Sequence, residues 1–330
     1  MHGNSNDSFT RGILWQMNEP RRLSLTLILL TGILAVSTAS IFIRLAQNDG
    51  VPSIVIAAAR LAIASLVLAP VALTRYRSEL RSLSRREWIL GLLSGLFLAI
   101  HFAAWITSLE TASVASSVVL VSTTPLWVAL LSPLVLRERV TRGVLIGMAL
   151  ALVGGTVVGM SDSCALEAGR LSCPPLGIFF GGKAFLGDLL ALLGAWMAAG
   201  YMLVGRKLRA KMALIPYIFV VYGTAAVVLL AVMFGMGKSP TGYLPLAYLW
   251  LVLLALIPQL VGHSSFNWAL RYLPASFISV ILLGEPIGST ILAVFILREI
   301  PGWLKIGGGV LILAGIYLAS RTEKQNGGST

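Results

Sequence analysis

A fourteen-residue pattern occurs twice in this chain, and this duplication constrains the fold more than any other feature. Residues 125–138 and 286–299 both consist of proline, eleven further residues, and then arginine and glutamate, and they lie 161 positions apart. Eight residues within or near this segment recur with the same identity at that offset, namely Leu109, Val119, Leu131, Leu136, Gly147, Leu150, Leu152 and Gly154. The sequence therefore predicts two related halves.

Each half contains five apolar stretches of about the ~20 residues that a helix needs to cross the hydrocarbon core of a bilayer. The ten stretches lie at residues 25–45, 52–73, 88–108, 114–136, 143–160, 184–204, 212–233, 247–270, 275–297 and 303–320. A chain that is 57% hydrophobic and 12% charged is not an ordinary soluble domain. Because five spans is an odd number, the two halves would have opposite orientations, as in carriers with inverted repeats. The sequence predicts an all-α membrane protein of ten transmembrane helices in two inverted five-helix repeats.

The basic residues predict how these spans are oriented. Of the 25 Lys and Arg residues, eighteen fall on the side that holds both termini and five on the opposite side, while Arg44 and Arg60 lie within spans. This bias follows the positive-inside rule and predicts that both termini are cytoplasmic. The net charge of +12 is then a consequence of topology, so nucleic acid is not a predicted partner. The predicted partners are membrane lipid and a small-molecule substrate, and the chain is expected to be a monomer.

The segments outside the two halves have separate interpretations. Residues 1–24 form a predicted cytoplasmic segment that is not a signal peptide, because it carries Asp7 and Glu19 and lacks an apolar core. Residues 161–182 form a predicted external loop that holds the only two cysteines, Cys164 and Cys173. In an oxidising compartment the two thiols could form a disulfide, and two free thiols are the alternative. Residues 321–330 are a predicted cytoplasmic tail.

The repeat, with its mid-span prolines and its closing Arg-Glu pairs, resembles the EamA branch of the drug/metabolite transporter superfamily. The stretch 269–276, the triplet 284–286 and the glycine-rich last span strengthen the resemblance, which covers residues 25–320. Residues 25–160 and 183–320 correspond to its first and second repeats. The chain is most similar to bacterial aromatic amino acid exporters. The resemblance implies an inner-membrane exporter whose central cavity is lined by helices 1, 3, 4, 6, 8 and 9. The first half departs from the second, with Thr124 in place of Glu285 and Ser113 in place of Pro274.

The two repeated prolines are candidate gating residues. Pro125 and Pro286 lie near the middle of spans 4 and 9, where proline frees the carbonyl four residues earlier, on Val121 and Leu282. A freed carbonyl in hydrocarbon needs a partner, so such breaks belong against protein or a wet cavity. We expect the prolines to shape or hinge the central pathway; a static kink is the alternative. Glu285, beside the second proline, is a further gating candidate.

Two polar and aromatic stripes are the main candidates for substrate binding. The stripe on span 3 consists of Phe97, His101 and Trp105. The stripe on span 8 consists of Gln259, His263 and Asn267, with Phe266 beside it. Residues spaced by four lie on one face of a helix, and polar groups facing lipid are costly, so both faces are expected to point inward. Such a face suits a small amphipathic ligand, although each histidine could instead form an interhelical hydrogen bond.

Weaker candidates could complete the cavity wall. These are Trp196 and Tyr201 in span 6 and Ser40 and Phe42 in span 1; ordinary helix packing explains them equally well. Arg60 and Glu285 are the deep ionisable groups, and each could bind substrate charge, take part in proton movement or satisfy backbone groups. One deep arginine is too few for phosphorylated substrates.

The sequence lacks a metal cluster, a nucleotide-binding motif and a buried carboxylate pair, so no cofactor and no enzymatic activity are predicted. We expect a secondary transporter that exports aromatic or bulky apolar amino acids across the inner membrane by alternating access. Export of hydrophobic drugs or other small metabolites is one alternative. An intramembrane enzyme that modifies lipid is an alternative of a different class.

Overall fold

The computed structural model describes residues 22–135, 142–161, 165–167, 170–172, 182–273, 275–282 and 284–326. The α-helices are α1 (Arg22–Ser37), α2 (Ala39–Asn48), α3 (Ser53–Thr74), α4 (Arg77–Ser82), α5 (Arg85–Ser108), α6 (Val114–Val121), α7 (Thr124–Val135), α8 (Arg142–Ser161), α9 (Lys183–Arg209), α10 (Leu214–Gly235), α11 (Pro245–Leu254), α12 (Ser264–Ala269), α13 (Ala275–Ile281), α14 (Gly284–Leu292) and α15 (Trp303–Asn326). Two segments are π-helical, π1 (Ala255–His263) and π2 (Ala293–Leu297). Two short antiparallel strands, β1 (Ala165–Glu167) and β2 (Arg170–Ser172), pair in the loop between the halves.

The helices have the length and composition of membrane spans, which confirms the predicted all-α membrane class. Within the described residues, seven are long and apolar enough to cross a membrane: Ser24–Asn48, Ser53–Thr74, Arg85–Ser108, Val114–Leu131, Lys183–Arg209, Leu214–Gly235 and Pro245–Ala269. Three shorter apolar helices, Leu145–Val158, Gly284–Leu297 and Trp303–Gly315, fall in the remaining predicted stretches. The first Arg-Glu pair, both cysteines and most of the N-terminal segment lie outside the described residues.

Local sequence fixes where several helices begin and end. Helix α5 begins with a capping box, in which the Ser84 side chain accepts from the Glu87 backbone amide and the Glu87 carboxylate accepts from the Ser84 amide. Ser113 caps α6 by accepting from the amide of Ser116. Gly50 has a φ of 81°, a conformation that glycine adopts without steric cost, and it reverses the chain between α2 and α3. The turns between spans are therefore short.

The outer surface of the bundle is apolar, as a lipid-facing surface must be. Leu134, Leu34, Leu66 and Phe295 are among the large apolar side chains with most of their area exposed. In water this much exposed apolar area would be unusual for a monomer. The interior is lined by small and aliphatic residues that pack into one large cluster of buried side chains.

Helices α8 and α15 cross through glycines that occupy equivalent positions in the two halves. A Cβ on Gly154 would lie 2.6 Å from the Gly308 carbonyl oxygen, and one on Gly315 would lie 2.5 Å from that of Gly147. The contact joins Gly154 to Gly308 and Gly147 to Gly315, so the helices are antiparallel. Because Gly147 and Gly154 correspond to Gly308 and Gly315 in the repeat, each half presents the same surface to the other. In a twofold interface, residue i of one unit contacts residue j of the other, and residue j of the first contacts residue i of the second, as these glycines do.

A second pair of contacts is repeated in the same manner. Gly194 of α9 packs against Trp105 of α5, and a Cβ there would lie 3.3 Å from the tryptophan Cβ. Gly32 of α1 packs against Phe266 of α12, and a Cβ there would lie 3.1 Å from the ring. Trp105 and Phe266 are 161 positions apart and the glycines 162. The helices that carry the predicted stripes are thus held in matching ways.

The eighth span is irregular, and this changes which residues share a face. Its middle section, π1, contains Pro258, a residue that removes a backbone hydrogen bond. A π-helix has i→i+5 bonds and more residues per turn than an α-helix, so a four-residue spacing no longer keeps side chains aligned. Of the three residues that the sequence predicts on one stripe, Gln259 bonds to Arg60, His263 contacts Phe102 and Asn267 bonds to Tyr201.

Candidate functional site

A cavity at the centre of the bundle is enclosed by helices from both halves of the chain. The residues that line it are Leu98, His101, Trp105, Val121, Ser122, Thr124, Pro125, Ala198, Tyr201, Met202, His263, Phe266, Asn267, Leu270, Ser279, Leu282 and Glu285. They belong to the predicted spans 3, 4, 6, 8 and 9; among the described residues, span 1 contributes none. The cavity volume is about 70 Å³, which is several times the ~15 Å³ that one water molecule needs.

The first proline breaks its span at the cavity wall. Helix α6 ends at Val121 and α7 begins at Thr124, with Ser122 and Thr123 in the turn between them. The Val121 carbonyl, the group that Pro125 was predicted to free, accepts a hydrogen bond of 2.8 Å from the Thr124 hydroxyl. The polar side chain thus replaces the bond that the proline removed, and the break faces the cavity.

The second proline lies at an equivalent break, with α13 ending at Ile281 and α14 beginning at Gly284. The Leu282 carbonyl accepts from the Glu285 backbone amide at 2.9 Å, in a tight turn. Glu285 lines the cavity, whereas Pro286 is buried beside it and lines a separate outer groove with Ile287 and Ile291. The two prolines therefore have equivalent positions along the chain but different surroundings.

A hydrogen-bonded chain of tyrosine and asparagine side chains forms one wall. The Tyr201 hydroxyl donates to Asn267 Oδ1 at 2.5 Å, and Asn267 Nδ2 donates to the Tyr222 hydroxyl at 3.1 Å. Tyr222 also lies 3.3 Å from the Ser264 hydroxyl. All four residues are buried. The network fixes Asn267 in one orientation, because both ends of its amide are already bonded.

The aromatic wall is formed by His101 and Trp105, two residues of the stripe on span 3. His101 and Trp105 stack with ring centroids 5.9 Å apart, and Phe102 packs against His101 at 4.7 Å. His101 Nδ1 lies 2.8 Å from the Gly194 carbonyl; since a carbonyl can only accept, Nδ1 carries the proton. The interhelical bond considered as an alternative is therefore present, and His101 lines the cavity as well. The buried Trp105 Nε1 has no hydrogen-bond partner among the described residues.

Arg60 lies one layer of side chains behind this wall and is fully buried. Its Nε donates to Gln259 Oε1 at 2.6 Å, and its guanidinium lies 4.0 Å from the centroid of the Phe102 ring. Phe102 in turn contacts the cavity-lining His263 edge-on, with centroids 5.4 Å apart. Within the described part of the chain, Arg60 Nη1 and Nη2 and Gln259 Nε2 have no hydrogen-bond partner.

Not every predicted site residue lies at the cavity. The structure brings together His101, Trp105, Tyr201, His263, Phe266, Asn267, Pro125 and Glu285. Phe97 packs on Gly200, Gln259 contacts Arg60, and Phe42 lies near Trp250 with stacked rings 6.1 Å apart. Trp196 is 45% exposed and meets Trp127 edge-on. Ser40 is buried away from the cavity lining.

Sequence reasoning did not single out several lining residues, notably Thr124, Ser122, Ser279 and Met202. Thr124 could have been found, because it is the counterpart of Glu285 at an offset of 161. Within the described residues, no three His, Cys, Asp or Glu side chains are grouped as a metal site requires.

Comparison with known proteins identifies a family. The model of the EamA-like transporter family matches residues 23–160 and, separately, residues 185–321. The two matched stretches correspond to the two halves that the sequence predicts.

Individual relatives are more distant. An uncharacterized transporter of Archaeoglobus fulgidus is 26% identical over 150 residues, which is 44% of this chain and 51% of that protein. The match thus spans about half the length of the relative. A solved crystal structure is similar in fold, with a TM-score of 0.63 and 22% identity, covering 92% of this chain and 99% of the other.

Proposed function

Because the chain belongs to the EamA-like transporter family, we propose that it is a secondary transporter that exports aromatic or bulky apolar amino acids by alternating access. One observation carries the substrate class: the central cavity combines aromatic rings with a few polar groups and one carboxylate. Trp105, Phe266 and Tyr201 offer ring faces, and Glu285 offers a carboxyl group as a hydrogen-bonding partner for an ammonium group. Aromatic side chains favour offset or edge-on contacts with another ring.

The proposed architecture is ten transmembrane helices in two inverted repeats in a bacterial inner membrane, with both termini cytoplasmic. The antiparallel glycine contacts between α8 and α15 support inversion, because equivalent residues from the two halves meet there. The distribution of basic residues supports the orientation. Inverted repeats let the two halves exchange shapes, which opens the central site to alternate sides of the membrane.

Export of cationic amphiphiles is the second candidate, and Glu285 is the observation that favours it. A carboxylate on an aromatic cavity wall would attract an organic cation. The buried guanidinium of Arg60, whose Nη1 and Nη2 have no hydrogen-bond partner among the described residues, opposes this alternative, since it would repel a ligand that carries only positive charge. The two candidates therefore differ in whether the ligand has a carboxylate.

The test is flux through the purified full chain reconstituted in liposomes. Radiolabelled phenylalanine, tryptophan and leucine are each loaded inside, and their release is compared with release from protein-free liposomes and with release of a labelled organic cation. Amino acid release that excess unlabelled amino acid inhibits would support the proposal. Release of the cation alone would establish the second candidate, and lipid turnover without solute flux would indicate an enzyme.

A further inference from the structure

We propose that Arg60 binds the carboxylate of the transported substrate, an inference that rests on the proposed export of amino acids. The guanidinium is fully buried, yet its two terminal nitrogens have no partner among the described residues. A buried charged donor without a partner costs more than an unpaired neutral one. In a membrane protein such a group marks a functional site unless it is satisfied.

A second buried arginine, Arg209, is arranged differently from Arg60. Arg209 is 1% exposed and donates through Nε to the Asn267 carbonyl and through Nη1 to that of Met212. Those bonds fix the end of α9 to α12 and to the turn that follows α9, a structural task. Among the described residues Arg60 is bonded through Nε alone, to Gln259, so its planar fork is held in place while Nη1 and Nη2 have no described partner.

The chemistry of the unpaired atoms selects the ligand. Within the described part of the chain, those at or just behind the aromatic wall include Arg60 Nη1 and Nη2 and Trp105 Nε1, each of which is a hydrogen-bond donor. A set of donors with one positive charge needs an anionic acceptor. A carboxylate fits the guanidinium fork with two parallel bonds. A phosphate dianion fits less well, because one guanidinium supplies a single positive charge for two negative charges.

The described conformation is contracted, so this site has to open before it binds. The cavity of about 70 Å³ is smaller than the ~300 Å³ at which pockets for drug-sized ligands begin. Phe102 separates the guanidinium from the cavity and contacts His101 and His263, which line it. Movement of this aromatic layer would widen the cavity and expose Arg60 at the same time. Substrate entry and carboxylate binding would then be one event.

The experiment compares binding of phenylalanine and of phenethylamine, which lacks only the carboxylate, to the full chain in nanodiscs. The variants are Arg60→Gln, Arg60→Lys and, as a matched control, Arg44→Gln. Arg44 is the other arginine within a span, but it pairs with Glu299 at 3.5 Å and lies away from the cavity lining. Arg60→Lys keeps the positive charge, so it remains informative if Arg60→Gln does not fold.

The wild-type protein is expected to bind phenylalanine at least tenfold more tightly than phenethylamine. Arg60→Gln should remove that preference by weakening phenylalanine at least tenfold and leaving phenethylamine unchanged, and Arg60→Lys should reduce it partly. Arg44→Gln should keep the preference. An Arg60→Gln protein that retains the full preference overturns the carboxylate assignment while leaving amino acid export intact, and an Arg60→Lys protein that retains it overturns the two-bond guanidinium fork. A wild-type protein that binds phenethylamine but not phenylalanine overturns the proposed function and this inference together.

Discussion

Gly308→Ala is expected to destabilise the protein by about 1–3 kcal/mol relative to Gly307→Ala, its neighbour on the same helix. A Cβ on Gly308 would lie 2.7 Å from the Gly154 carbonyl oxygen and 2.7 Å from Val158 Cγ2. A backbone carbonyl cannot rotate aside, so α8 and α15 would have to separate. A Cβ on Gly307 would meet nothing within 4 Å. Replacing glycine by alanine within a helix favours both variants by the same ~1 kcal/mol of helix propensity. The difference between their free energies of unfolding therefore measures the contact between α8 and α15 alone.

The repeat allows a second comparison, between the glycines at the two ends of the contact between α8 and α15. Gly154→Ala and Gly315→Ala would each place a Cβ against the carbonyl of a partner glycine, at 2.6 Å from Gly308 and 2.5 Å from Gly147. Because the two positions are equivalent, we expect similar losses of stability.

The assay for both comparisons is thermal unfolding in one detergent, followed by tryptophan fluorescence and by recovery of monodisperse protein after heating. Equal unfolding temperatures for the Gly307 and Gly308 variants would refute the close packing. Unequal losses at Gly154 and Gly315 would refute its twofold character.

The remaining predictions concern transport and topology. Trp105→Phe should weaken binding of aromatic amino acids severalfold, because it removes the indole N–H and part of the ring while keeping most of the buried volume; equal affinities in equilibrium binding would remove Trp105 from the site. Pro125→Ala and Pro286→Ala should slow liposome flux with substrate affinity retained, since each restores a possible helical bond without removing a polar contact; parental flux in both would make the prolines packing features. After reduction, Cys164 and Cys173 should react with an impermeant maleimide on intact cells, and labelling confined to inverted vesicles would contradict the orientation.

The repeat predicted the division of the chain into two halves, and the family model matches residues 23–160 and 185–321 separately. It also led to the cavity residues that occur in both halves. His101 and His263 lie at matching places on spans 3 and 8, and the structure puts both in the cavity wall. The duplication is informative because the equivalent helix faces that carry His101 and His263 both line the cavity.

Other site residues could not be placed from the sequence, for two physical reasons. First, four-residue spacing presumes a regular α-helix, and the π-helical turn around Pro258 rotates Gln259 toward Arg60, a contact that joins residues 199 positions apart. Second, aromatic side chains suit a lipid-facing surface as well as a cavity. Trp196 and Tyr201 occur on one helix, yet the first is 45% exposed and the second 5%. Composition alone does not distinguish these faces.

The charged groups near the cavity occur where the two halves differ. Glu285 corresponds at the repeat offset to Thr124, and Arg60 corresponds to Val221 or Tyr222 at offsets of 161 and 162, none of which carries charge at neutral pH. A twofold scaffold can supply two gates of similar stability, but a symmetric site would present the same charge from both sides. An amino acid has one carboxylate and one ammonium group, so recognising it requires the symmetry to be broken. In the proposed exporter, Arg60 from the first half and Glu285 from the second would break it with a single ionisable residue in each.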